Sequence, residues 1–295
     1  MHKSCLEGVY HLSAAADPLP LVFDSPHSGT HYPADFDYAC DPALLEKAED
    51  KYVEELFETA PAHGGCLLAA LFPRSYIDLN RAADDIDPEL LDGKWPDKKT
   101  INPSNRSYAG IGLVRRLVKP GEPVYSRALK PEEIQHRIES YYRPYHDALE
   151  QILDGAHYKF GQVWHINCHS MPSAGKRLGA MGRVNPFPSP DFVLGDRDGT
   201  SCDLDFTHAL RDFLKNLGYK VAVNDPYKGV ELVKKYSAPA EGRHSIQIEI
   251  CKALYLDEDT YKKNRNFERL KVDIDKLIGF CADYASANLM PMAAD

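Results

Sequence analysis

The chain has little cysteine chemistry to offer. Its 295 residues carry seven cysteines, an odd number, and no two of them form a CxxC pair. This excludes a thiolate zinc site of the usual spacing and argues against a disulfide framework. Cys66, Cys168 and Cys251 lie inside apolar segments, where a free thiol packs as a small hydrophobe. Positive charge is also short: 35 Lys and Arg stand against 44 Asp and Glu, a formal net charge of -9. Nucleic acid and anionic membranes are excluded as main partners, because both demand a basic surface. A basic pocket for a small anion remains open. No apolar run approaches the roughly 20 residues of a membrane helix, and "MHKSCLEGVYHLSAAADPLPL" lacks the continuous apolar core of a secretory signal. A cytoplasmic protein is therefore expected. Repeats, low-complexity tracts and breaks in composition are missing too, so one domain over residues 1–295 is expected.

What is present is an alternation. Short runs rich in Val, Ile and Leu, namely "LPLVFDS", "CLLAALF", "SYIDLN", "QVWHINCHS", "DFVLGD", "YKVAVND" and "SIQIEICKALY", alternate with stretches of helical period. The pattern predicts an α/β fold whose central sheet, mostly parallel or mixed, is flanked by helices. One helix is expected between the first two strands, capped by Asp41, with Pro42 in its first turn and Gly64 and Gly65 at its end. A second should run from about residue 130 to 153, kinked or broken at Pro144. A third ends at Gly218, and a last one covers about Asp259 to Leu289. The stretch from 81 to 124 is rich in Asp, Pro, Gly and Asn with little periodicity; it reads as a long irregular insertion of the kind that usually serves function.

In open α/β sheets ligands bind beyond the carboxyl ends of the strands. His27 follows the first strand, Asp78, Asn80 and Arg81 close "SYIDLNR", His169 closes "VWHINCHS", and Glu249 lies in "SIQIEIC". Two histidines and a carboxylate with a fourth position left open make a catalytic zinc site, and a further carboxylate serves as general base. Each residue has a plainer role as well: a turn histidine, a cap, a solvated ion-pair partner. Glu249 is the hardest to read that way, since a carboxylate between Ile248 and Ile250 is costly to bury unless it is paired or bound. Cys168 and His169 are neighbours on a strand and point to opposite faces, which disfavours a cysteine nucleophile with a histidine base. His136, His146, His157, His165 and His208 read as surface or packing residues.

The combination "FDSPHSGTHYP", "EDKYVEELF", "RSYIDLNR", "WHINCHSMPS", "LGDRDGTSCD", "YKG" and "HSIQIEICKALYLDE", in this order along nearly the whole chain, resembles the N-formylglutamate amidohydrolases. That family is similar in turn to the zinc carboxypeptidase-like hydrolases, so a zinc-dependent exopeptidase architecture is implied. The resemblance implies one zinc ion held by His27, Asp50 and His169, with Asp78 as the alternative third ligand. It implies Glu249 as catalytic base, and Asn80 and Arg81 as carboxylate-binding groups. Asp78, Lys228 and Gly229 join the substrate-binding set, and Arg127 of "VYSRAL" is expected to assist catalysis as a second positive group. The substrate implied is a small acidic N-acyl amino acid, N-formyl-L-glutamate, cleaved to formate and glutamate as in histidine degradation. Hydrolysis of another N-acyl amino acid or short peptide is the alternative, and a non-catalytic module that binds an acidic ligand is a third reading. Beyond "YKG" the chain departs from the family's pattern: Val230 stands in place of a glycine, and Lys234 and Lys235 in place of an arginine and a histidine.

Overall fold

Leu21–Ser25 and Cys66–Ala70 are buried at every position, as strands covered on both faces must be. The computed structural model describes residues 2–96, 100–173 and 190–289. Its main sheet has eight strands: β1 (His2–Leu6), β2 (Tyr10–Ala14), β3 (Leu21–Ser25), β4 (Cys66–Ala70), β5 (Val163–Met171), β6 (Phe192–Gly195), β7 (Val221–Val223) and β8 (Arg243–Cys251). Their spatial order is β1-β2-β4-β3-β5-β8-β6-β7. The central four, β4, β3, β5 and β8, run parallel. β1 pairs antiparallel with β2, β2 with β4, and β6 with β8, so the sheet is mixed.

The helices are α1 (Pro42–Glu46), α2 (Val53–Leu56), α3 (Asn105–Tyr108), α4 (Pro131–Arg137), α5 (Arg143–Phe160), α6 (Leu204–Asn216), α7 (Glu231–Lys235) and α8 (Phe267–Ala287). One apolar core joins Phe23, Ile166 and Ile248 of the sheet to Leu210 of α6 and Leu277 of α8. A second joins Val22 and Leu68 to Tyr145 and Leu149 of α5. Among the described residues no helix is long and apolar enough to cross a membrane.

Several expectations change. The helix foreseen between β3 and β4 is cut into α1, α2 and a short 3-10 turn, Ala60–His63. Asp50 sits at the cut, and Tyr52 beyond it takes the left-handed conformation at φ 68. The break frees Asp50 to face the strand ends. Pro144 does fall in a continuous helical stretch, but in the first turn of α5, where its missing N–H costs little, directly after a π-helical segment, Ile138–Tyr142. "SYIDLN" is not a strand; residues 74–76 and 79–80 form turns. Its Asp78 N–H donates to Leu113 O, and the Arg137 guanidinium of α4 donates to Tyr76 O while lying 4.2 Å from the Tyr76 ring centroid. The last helix starts at Phe267, because Leu256–Asp257 and Lys262–Lys263 pair as a small hairpin ahead of it. The β1–β2 hairpin, with an exposed first strand, was not foreseen.

Candidate metal centre and substrate cavity

The parallel register places the chemistry. Glu249 of β8 lies directly beside His169 of β5, Gln247 beside Asn167, and Asn167 also beside Asp24 of β3. Register partners on parallel strands share a face, so β3, β5 and β8 present one continuous row of polar side chains. His27 follows β3 in a loop that packs tightly on the edge of the neighbouring strand. A Cβ on Gly29 would stand 2.3 Å from the Leu71 carbonyl carbon, so only glycine fits there. Asp50 is stitched to the same loop, its N–H donating to His27 O at 3.0 Å.

His27, Asp50 and His169 converge, all buried, with one candidate ligand atom from each lying within 4.8 Å of the others. Asp50 Oδ2 is 3.2 Å from His169 Nδ1 and 3.5 Å from His27 Nδ1. The far nitrogen of each imidazole is engaged. His27 Nε2 is 2.8 Å from Asp78 Oδ1, and His169 Nε2 is 2.6 Å from Asn167 Oδ1. These acceptors fix the proton on Nε2 and turn both Nδ1 lone pairs toward Asp50, the arrangement by which outer partners orient histidine ligands. Among the described residues His27 Nδ1 has no hydrogen-bond partner although it is buried. Two lone pairs and a carboxylate oxygen facing one another repel unless a cation sits among them. The residues therefore fit a divalent ion with three protein ligands and an open position.

Burial pushes the Asp50 carboxyl up, but His169 and His27, with Lys252 and Arg74 beyond, hold it well below the ordinary range. Asp78 behaves alike, held well below by Arg74 and His27 against its burial. It is thus the partner of His27 rather than one of the converging three. Glu249 goes the other way: burial and then the charge of Asp50 push it well above its usual value, opposed by Arg74 and Lys252. Its Oε1 accepts from Gln247 Nε2 at 2.7 Å. Environment alone moves these carboxyls apart, Asp50 and Asp78 toward lower and Glu249 toward higher proton affinity.

A cavity of about 590 Å³ opens over this centre, lined by His27, Asp50, His169 and Glu249 together with Asn80, Arg81, Gly229 and Val230. Asn80 Oδ1 accepts from Leu232 N at 3.0 Å, which ties this residue to the start of α7 and leaves its Nδ2 donors on the side of His169. Lys228 stands at the rim, more than half exposed, paired with Asp198 at 2.8 Å. Gly229, at φ 89, lets the backbone approach Gly195 closely. Lys234 and Lys235 are exposed and do not line the cavity, whereas Val230 does.

Arg127 is elsewhere. It is a surface residue whose guanidinium donates to Glu133 at 2.7 and 2.9 Å and approaches Asp37 at 3.4 Å; Glu133 in turn accepts the Lys130 N–H that opens α4. The cations that do line the cavity include Arg74, Arg106, Arg115 and Lys252, none of which stood out in the sequence. Arg74 donates twice to Asp78 Oδ2, at 3.1 and 2.7 Å. Its spacing of four from Asp78 was a usable signal, hidden by reading the segment as a strand. Lys252 is buried, its ammonium held by the backbone oxygens of Glu49 and Lys47. Asn167 and Asp24 also escaped notice, although Asn167 shares a face with His169 two residues later. Asn167 Nδ2 donates to Asp24 Oδ1 at 2.8 Å, and the same oxygen is 2.8 Å from His165 Nε2. His165 Nδ1 reaches Ser245 Oγ at 2.8 Å, so this histidine is a fully buried link in a network rather than a packing residue. Cys168 faces the opposite core, where burial raises its thiol well above the usual range.

Comparison with known proteins gives a consistent result. The family model for N-formylglutamate amidohydrolase matches residues 19–256. N-formylglutamate deformylase from Pseudomonas putida is 30% identical over 259 residues, 83% of this chain and 86% of that protein. The protein of the same name from Pseudomonas aeruginosa is 29% identical over 255 residues, 84% of this chain and 86% of its own length. A crystal structure of N-formylglutamate amidohydrolase from Ralstonia eutropha JMP134 superposes with a TM-score of 0.90 at 45% identity, covering 95% of this chain and 99% of that one. With the model spanning most of its length, the chain belongs to the N-formylglutamate amidohydrolase family.

Proposed function

We propose that this chain is a single catalytic domain of carboxypeptidase-like zinc architecture that hydrolyses N-formyl-L-glutamate to formate and L-glutamate. The observation that carries the reading is the convergence of His27, Asp50 and His169 beside Glu249 in a cavity lined by several cations, of which Arg81 and Lys252 are buried. Zinc suits two imidazoles and a carboxylate, and a zinc ion there supplies Lewis acidity and acidifies water.

The chain's own residues do the rest. Glu249 takes a proton from the attacking water as the new C–O bond forms at the formyl carbon. It then delivers that proton to the amide nitrogen as the C–N bond breaks, leaving formate and the free amine of glutamate. It lies beside His169 in the strand register and lines the cavity, within reach of both the water and the amide. Arg74 takes the role expected of Arg127. Locked by two bonds to Asp78, it faces Asp50 and Glu249, where its fixed charge steadies negative charge developing on the formyl oxygen. Arg81, buried and with Nε lacking a partner among the described residues, receives a substrate carboxylate.

Glu249→Gln keeps the shape and removes the proton carrier. It should abolish formate release, by at least about 10³-fold, while metal content stays at the wild-type level. Near-normal turnover in that variant would remove Glu249 from this role. The cavity volume also accommodates a larger acyl group, so formyl, acetyl and succinyl glutamate assayed side by side separate a deformylase from a broader N-acyl amino acid hydrolase.

A further inference from the structure

The cavity wall built by the insertion carries more positive charge than its surroundings neutralise. Asp85 lies near Arg81, and Asp50 near Arg74 and Arg115, but the carboxylate that all three guanidiniums share is that of Asp78. That carboxylate is already committed: Oδ2 to both Arg74 donors, Oδ1 to His27 and to the Asn80 N–H. Arg115 comes no closer than 3.9 Å to it. The Nε atoms of Arg81 and Arg115 are both buried without a hydrogen-bond partner among the described residues, and both side chains line the cavity. Desolvation and the charge of Arg74 pull the Arg115 guanidinium down to about 9, a large departure for an arginine. A guanidinium largely withdrawn from water, with its buried Nε left without a partner among the described residues, is costly, so its retention points to an anion that arrives with the ligand.

Arg115 is also held still. Its neighbour Arg116 pairs with Asp87 at 2.6 Å and Glu89 at 2.8 Å, and Arg115 itself forms a bridge with Ile111. Leu113 donates to Asp85 O and accepts from Asp78 N. The segment is pinned to the loop that carries Arg74, Asp78 and Arg81, as a recognition group must be if it is to discriminate.

We infer that Arg115 is a specificity-determining residue that receives the side-chain carboxylate of the substrate, while Arg81 receives the α-carboxylate, so that the two under-partnered guanidiniums select a dicarboxylate. This rests on the proposed amidohydrolase reading and adds to it the residue that tells glutamate from glutamine.

The test compares kcat/KM for N-formyl-L-glutamate and N-formyl-L-glutamine in the wild type, Arg115→Gln, Arg115→Lys and Arg81→Gln, with metal content and circular dichroism measured on each. The wild type should prefer the glutamate substrate by about 100-fold or more, because a site built for a charged partner is left unpaired by the neutral analogue. In Arg115→Gln that ratio should fall below about tenfold, mainly through KM, and Arg115→Lys should lie between. Arg81→Gln should lose both substrates alike, keeping the ratio within about threefold of the wild type. An unchanged ratio in Arg115→Gln, or a collapse in Arg81→Gln instead, overturns the assignment. If the wild type releases formate from neither substrate, the reaction reading fails, and the inference is then decided by calorimetry with glutarate and butyrate. Preferential binding of glutarate that is lost in Arg115→Gln supports it; equal binding of the two acids overturns it.

Discussion

The two faces of the central strands make opposite use of burial. On one face Phe23, Ile166, Cys168, Ile246, Ile248 and Ile250 pack into an apolar core. On the other, Asp24, His165, Asn167, His169, Ser245, Gln247 and Glu249 are equally inaccessible, each 7% exposed or less, yet every one is polar. The apolar face gains from dispersion and from removal of surface from water. The polar face needs partners for its donors and acceptors, and much of it is joined as a chain leading from Ser245 through His165, Asp24 and Asn167 to His169 at the candidate metal centre. Strand alternation usually separates core from solvent. Here the second face holds an apolar core around Val22 and Val163 and turns to chemistry toward the carboxyl ends of the strands, and the cavity begins where the polar row ends.

The largest expected effect of breaking this contrast lies at Asp24. Its carboxylate accepts from Tyr145 Oη and Asn167 Nδ2 and faces His165 Nε2, all within 3.0 Å. Asp24→Ala strands these buried groups and should cost roughly 3–5 kcal/mol. On the other face Ile248→Ala leaves only a cavity and should cost about 2–4 kcal/mol. Urea unfolding of both variants at neutral pH checks the order. If Asp24→Ala is the milder of the two, the polar row is not a continuous network. A smaller effect sharpens the comparison. Asn167→Ala frees the Nε2 side of His169, so its tautomer is no longer fixed, and metal affinity should fall by about 10–100-fold with little change in fold. Competition with a chromophoric chelator measures this; wild-type affinity would leave Asn167 as packing.

The same contrast explains how much was legible beforehand. His27, His169 and Glu249 stood out because each is a polar residue at or near the end of an apolar run, a signal confined to a few consecutive positions. The parallel core of the sheet was visible for the same reason. Asp50 carries no such signal; it became recognisable through resemblance alone, and its position depends on a helix break that helical periodicity smooths over. The alternation in "SYIDLN" suggested a strand, but Arg74, Asp78 and the backbone contact to Leu113 shape it as a turn. Arg115 was invisible, since the insertion has no period and its meaning comes from contact with residues near 78. Arg127 shows the reverse error: a cation in a plausible motif, taken up locally by Glu133.

The most direct test of the metal centre is metal content together with formate release from N-formyl-L-glutamate, measured before chelation, after it, and after zinc is restored. Ligation by His27, Asp50 and His169 predicts one ion per chain, activity that disappears with it, and recovery when zinc returns. Full formate release by protein freed of metal would contradict the account.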